Sequence, residues 1–242
     1  MNIALQLRNL NKSFAGQTVL SDISLEVTTH SIHGLVGLNG AGKTSLIKCI
    51  LDLQSADSGE ILIHNISSEL TDSRHPLIYL AERFAAPDYM TGWTYLRFIA
   101  DAYLPAPQRR EVNADAVTLC AKLDFPTAAL DKSVQTLSKG MTQKLGIMGC
   151  LISKKPFLIL DEPMSGLDPK ARVQFRQVIG ELKSEGRTVL MCSHILSDIE
   201  TLCDSITILH QGRILYSGTA ENCVRQYGAQ DFETAFLKCI EN

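Results

Sequence analysis

"GLNGAGKT", Gly37 to Thr44, is the stretch that decides how the rest of the chain is read. It fits the pattern G-x-x-x-x-G-K-[ST], and its flanks supply the context that pattern needs. A short apolar strand, "IHGLVG", runs into it. "TSLIKCILDL" follows, with Leu46, Ile47, Ile50 and Leu51 on one helical face. Glycines let backbone N–H groups turn inward around phosphate oxygens with no Cβ in the way. The helix beginning there adds its positive N-terminal dipole. Lys43 supplies a mobile point charge for the outer phosphates, and the Thr44 hydroxyl suits Mg²⁺. Alone, the loop says only that a nucleoside triphosphate binds, since kinases, GTPases and motors share it.

The next informative stretch is "FLILDEP". Phe157 to Leu160 read as a buried strand that carries Asp161 and Glu162 to its carboxyl end, the edge of an open α/β sheet where ligands bind. Neighbouring residues on a strand point to opposite faces, so the two acids need not share one task. Asp161 is the natural carboxylate on the Mg²⁺ side. Glu162, just past the strand, can lean toward the terminal phosphate and polarise a water.

Around these two anchors the chain alternates. "IALQLRNL" and "ISLEV" read as early strands with "FAGQ" turning between them, and "DSGEILIHN" as a turn and strand. Residues 83–155 are Ala-, Leu- and Tyr-rich at helical spacing, broken by Pro87, Pro105, Pro107 and Pro126, which predicts a mainly helical insert. "DPKARVQFRQVIGELKSEG" predicts a helix capped by Asp168, with Pro169 in its first turn, Gly186 at its stop, and Phe175, Val178, Ile179 and Leu182 as its buried stripe. "TVLMCS" is a strand that delivers His194, and "SITILH", "QG" and "RILYSG" read as a terminal hairpin.

Composition narrows the class. The 242 residues are 45% hydrophobic and 20% charged with net charge −3, which lacks the basic footprint nucleic acid requires. No apolar run approaches the roughly 20 residues a membrane span needs, and the mixed start "MNIALQLRNL" does not read as a secretory signal. Seven scattered cysteines, with no CxxC and no zinc spacing, point to a reducing cytoplasm and core packing.

Five motifs stand in order: "GLNGAGKT", "LSKGM", "LILDEP", "SGLD" and "CSH". In that order and spacing the chain resembles the ATP-binding subunits of ABC transporters, from Phe14 to about Gly218. The resemblance implies an α/β P-loop NTPase of the ABC-ATPase fold. A RecA-like core with an antiparallel β subdomain would occupy 1–82 and 156–218, a helical subdomain 83–155, and a short C-terminal tail 219–242. It implies ATP and Mg²⁺ as ligands. Phe14 would stack on adenine, where the family usually has Tyr. Gly37, Leu38, Asn39, Gly40, Ala41, Gly42, Lys43, Thr44 and Ser45 would hold the phosphates, with Lys43 also serving catalysis.

Leu137, Ser138, Lys139, Gly140 and Met141 match the signature motif, which in this family closes over ATP held by a partner subunit. Ser165 to Asp168 match the loop along the dimer seam, and His194 matches the switch histidine at the terminal phosphate. Two departures stand out. Lys139 and Met141 replace the usual Gly and Gln, and Glu82 takes the place of the usual glutamine near Mg²⁺. Both variants look like the branch serving ABC-2-type exporters. Gln143 and Lys144 are read as helix surface or phosphate-side support, with no chemistry assigned. The implied setting is peripheral, on the cytoplasmic face of the inner membrane, with a second ATP-binding subunit and membrane-embedded permease chains as partners and no nucleic acid. The alternative is a soluble ABC-type ATPase in assembly, translation or DNA maintenance.

Overall fold

The computed structural model describes residues 2–241. The chain begins with a long antiparallel pair, β1 (Ile3–Phe14) and β2 (Gln17–Thr28), turning at Ala15–Gly16, where both residues have positive φ. Then come β3 (Ile32–Val36), α1 (Lys43–Ile50), β4 (Ser58–Ile63), β5 (Ile66–Ser67) and β6 (Leu77–Leu80). α1 stops a residue short of the Leu51 expected on its stripe, and the turn after it puts Asp52 at φ 55, yet Leu51 remains buried. A helical stretch follows: α2 (Gly92–Tyr103), α3 (Ala106–Arg109), α4 (Val112–Lys122) and α5 (Lys139–Ile152). The chain returns through β7 (Phe157–Asp161), α6 (Pro169–Ser184), β8 (Thr188–Ser193), α7 (Leu196–Leu202), β9 (Ser205–His210) and β10 (Arg213–Gly218). It closes with α8 (Ala220–Gln226) and α9 (Phe232–Glu241).

Two sheets result. β2-β1-β4-β5 is antiparallel, and the larger sheet runs β10-β9-β3-β8-β7-β6, parallel except for the terminal hairpin. Every residue of β3, β7 and β8 is buried, as befits parallel strands covered on both faces. Leu35, Phe157, Ile159 and Leu190 face α1 and the antiparallel sheet; Val36, Leu158, Leu160 and Met191 face the helices on the other side. The parallel register aligns strand ends, pairing Val36 with Ser193, Asp161 with Cys192 and Leu80 with Leu160. The segments leaving β3, β8, β7 and β6 therefore emerge side by side at one edge.

Residues 219–241, within the short C-terminal tail that the sequence reading assigns to 219–242, form α8 and α9; Asn242 lies outside the described residues. Phe232, Ala235, Phe236 and Cys239, at helical spacing, are all buried, and α9 packs on β10 and α7. α5 is held by close approach. A Cβ on Gly149 would lie 2.5 Å from the hydroxyl of Tyr95, a buried ring set against Phe84 at 5.3 Å between centroids. Gly149→Ala gains about 1 kcal/mol of helix propensity. Overpacking costs ~1–3 kcal/mol and wins. The expected result is a melting temperature lower by about 2–4 °C, read by calorimetry.

Candidate functional site

A cavity of about 340 Å³ opens where those strand ends meet, lined by Val19, Asn39 to Ser45, Glu82, Asp161, Glu162 and His194. The loop after β3 forms its floor. Gly40 and Gly42 adopt φ 82 and 109, conformations that side chains resist. At Gly42 an added Cβ would also lie 2.9 Å from the Leu20 side chain and 3.0 Å from the Val19 carbonyl. Lys43 is buried, and its Nζ donates to the carbonyls of Gly37 at 2.6 Å and Leu38 at 3.2 Å. The ammonium is thus folded back over its own loop, with Thr44 exposed toward the cavity and Ser45 half-buried beside it.

Asp161 ends β7 inside the core, whereas Glu162 leaves the strand at φ 49. Simple strand alternation would send the two side chains to opposite faces, but the left-handed backbone at Glu162 lets both line one cavity. The Glu162 amide donates to the Cys192 carbonyl at 3.0 Å, and its Oε1 lies 2.8 Å from His194 Nδ1. That contact places a proton on Nδ1 and leaves Nε2 for a ligand. His194 is exposed and Glu162 is buried, so the pair spans the cavity wall.

Burial, with the charges of Glu162 and Glu82, pushes the Asp161 carboxyl up to about 6; Lys43 and a hydrogen bond from Tyr79 partly offset this. Tyr79 on β6 is a site neighbour that no motif flagged. A hollow walled by three carboxylates, only partly offset by Lys43, Tyr79 and His194, fits a cation brought in with phosphate. Among the described residues no group of His, Cys, Asp and Glu forms a protein-only cage. That suits Mg²⁺, which uses one or two side chains plus phosphate oxygens. Thr44, Asp161 and Glu82, the side chains the sequence reading assigns to Mg²⁺, all line this cavity.

A raised carboxyl penalises the folded state once it ionises. The penalty is absent below the unfolded value of about 3.9. It grows through the window up to about 6 and persists above it, so the ligand-free protein loses stability as pH rises through that range. Asp161→Asn is expected to raise the ligand-free melting temperature at pH 8, with a gain of ~1–2 kcal/mol. The same change should abolish the further stabilisation that Mg²⁺ adds to ATP. Paired thermal melts with and without Mg²⁺ check both halves.

The remaining sequence candidates do not line this cavity. Phe14 sits at the end of β1, 38% exposed, with the Lys12 ammonium 5.1 Å from its ring centroid; it does not line the cavity. Ser138 caps α5, accepting from the Met141 amide, and is exposed. Leu137 and Met141 pack against the core, and Asp168 caps α6 by accepting from the Ala171 amide. Lys139 is exposed, its aliphatic stem lying across Gly166 of the "SGLD" loop. Leu137, Ser138, Lys139, Gly140, Met141 and Asp168 therefore stand apart from the cavity that Lys43 and Glu162 line. Gln143 corrects the surface reading. It is buried, its amide donating to the Pro163 carbonyl at 3.1 Å. Lys144 reaches the Asp124 carbonyl at 3.2 Å.

The family model described as ABC transporter matches residues 20–165, more than half of the chain. An uncharacterized ABC transporter ATP-binding protein of Synechocystis is 38% identical over 202 residues, covering 83% of this chain and 56% of that protein. A similar Nostoc protein is 37% identical, with 84% and 60% covered, so the chain spans little more than half the length of these two relatives. A lantibiotic transport ATP-binding protein of Streptococcus pyogenes is 31% identical, with 87% of this chain and 89% of that one covered. A solved ATP-binding subunit of an ABC transporter superposes with TM-score 0.90 at 30% identity, covering 98% and 99% of the two chains. With this match, and with the phosphate loop and the paired acids meeting at one sheet edge, the chain belongs to the ABC transporter family, among its ATP-binding subunits.

Proposed function

We propose that the chain binds and hydrolyses MgATP and powers an ABC exporter by head-to-tail association of two such subunits. The observation that carries this reading is the convergence of Lys43, Asp161, Glu162 and His194 on one cavity, with the Ser138 cap of α5 turned to solvent away from it. An anion-binding helix start that does not serve its own phosphate loop suits a partner's phosphate.

Each residue then has a task. Loop amides and Lys43 cradle the phosphates. Thr44, Asp161 and Glu82 would hold Mg²⁺, which would supply neutralising charge to the phosphates. Glu162, held by His194, takes the proton of an in-line water as it attacks the terminal phosphorus and the bond to the β,γ-bridging oxygen breaks, releasing ADP and phosphate. Lys43 faces the charge that develops as the terminal phosphoryl group leaves, while His194 orients Glu162. In the closed dimer, the partner's Ser138 and α5 dipole would cover that phosphate and exclude water. Phe14 offers an exposed π face for adenine once Lys12 moves aside. Residues 83–155, as a helical arm hinged at Glu82, would carry closure to the membrane chains.

Export is supported by "LSKGM" and by Glu82 after "YLA", and by the Streptococcus relative, whose name assigns it to lantibiotic transport. The location on the inner face of the membrane follows from the same reading. The test is affinity purification of the tagged chain from mild detergent. Copurification of a polytopic membrane protein, together with Mg²⁺-dependent ATP turnover, is the expected result. Turnover without any membrane partner would sink the transport half of the reading.

A further inference from the structure

α5 and the segment from Glu162 to Asp168 are interlocked at three points. The Lys139 stem lies over Gly166, where an added Cβ would come within 3.2 Å of it. A Cβ on Gly140 would stand 2.9 Å from the Gly166 carbonyl oxygen. The third point is polar. Gln143, 5% exposed, donates from Nε2 to the Pro163 carbonyl at 3.1 Å and, at longer range, to the Glu162 carbonyl at 3.5 Å.

Those carbonyls belong to a strained turn. Glu162 has φ 49, and a non-glycine residue persists there only where its surroundings over-determine it. β8 holds the Glu162 amide through Cys192, and the Ser165 amide closes the turn on the Glu162 carbonyl at 3.0 Å. The side-chain hydrogen bond reaching this turn from the helical arm is that of Gln143. α5 also bears on the other acid's segment: a Cβ on Gly146 would lie 2.7 Å from the Phe84 ring, two residues past Glu82. One rigid helix therefore touches the backbone behind Glu162 and the segment that carries Glu82.

We propose that Gln143 is a positioning residue that fixes the strained backbone of Glu162, so that a tilt of α5 moves the carboxylate. The proposal rests on the reading of Glu162 as the base in ATP hydrolysis. Its consequence is a direct mechanical path, one side chain long, from the helical arm to proton transfer. A displacement of about 1 Å at a reacting group is enough to cost on the order of 10²-fold in rate. Binding of ATP, which uses the loop after β3, would be little affected.

Two variants test it. Gln143→Met keeps the length and volume but removes the donor; Gln143→His restores an N–H at similar reach. Gln143→Met is expected to lower kcat by about 10-fold or more with KM for ATP within ~2-fold of wild type. Gln143→His should recover most of the loss. In the same samples, amide hydrogen exchange at Ser165 should quicken in Gln143→Met while the Leu145–Ile152 turns of α5 stay protected. An unchanged kcat overturns the proposal. So does a parallel shift of kcat, KM and melting temperature that Gln143→His does not repair, which marks a merely structural role. If the wild-type protein shows no turnover, the ATPase reading falls and Ser165 exchange decides alone: faster exchange in Gln143→Met supports the strut, unchanged exchange removes it.

Discussion

Replacing Glu162 with Gln is expected to lower steady-state ATP turnover by ~10²–10⁴-fold while ATP affinity changes by no more than a few-fold. The substitution is nearly isosteric. The amide oxygen can still accept from His194 Nδ1, which now stands 2.8 Å from Glu162 Oε1, and the backbone keeps its holds on Cys192 and Gln143. What is lost is the ability to take a proton. The change also removes one of the charges that raise the Asp161 carboxyl, so Mg²⁺-side binding is not weakened by a new cost. Turnover should therefore stop after closure, and the variant should accumulate as an ATP-bound dimer in light scattering. Wild-type turnover in Glu162→Gln would take the base role away from this residue. A monomer that binds ATP tightly yet never dimerises would leave the base role intact and count against closure.

Much of this arrangement was legible because it is carried by local chemistry. The loop from Gly37 to Thr44 needs glycines where φ is positive, and Gly40 and Gly42 sit there. The acids after "FLIL" follow from where a buried parallel strand ends, and the register of β3, β8 and β7 puts those ends together. Asp168, Pro169 and Gly186 bounded α6 because caps and stops are one-residue decisions.

What escaped the sequence depends on distant packing. Gln143 looks like helix surface in one dimension, since polar residues usually are. Only the turn at Glu162, far away in sequence, supplies the carbonyls that make its burial affordable. Tyr79 belongs to no motif, and its place at the site shows only once β6 is laid beside β7 and Asp161 comes within its reach. The C-terminal segment carries no motif, and the stripe from Phe232 to Cys239 acquires meaning only once β10 and α7 offer a surface to cover. Phe14 is the weakest transfer, since a motif position cannot say that Lys12 will lie over the ring.

A mixture of two dead variants should come back to life. Lys43→Ala removes the charge at the phosphate loop, and a loss of at least ~10²-fold in turnover is expected from deleting one such electrostatic contact. Ser138→Asp is chosen for what it spares. Asp caps helices as well as Ser does, so the bond now made from the Met141 amide to Ser138 Oγ can be kept and α5 still begins at Lys139. Yet a carboxylate at that exposed position meets a partner's terminal phosphate with like charge. In the head-to-tail dimer, a Ser138→Asp chain paired with a Lys43→Ala chain contains one site with both defects and one with neither. Titrating one inactive variant into the other should raise ATPase activity to a plateau well above either alone, and neither variant should gain from added copies of itself. If Ser138 instead served its own chain's phosphates, every site in the mixture would carry one lesion and the titration would stay flat. The exposed Ser138 cap, standing apart from the cavity its own chain builds, argues for the rise.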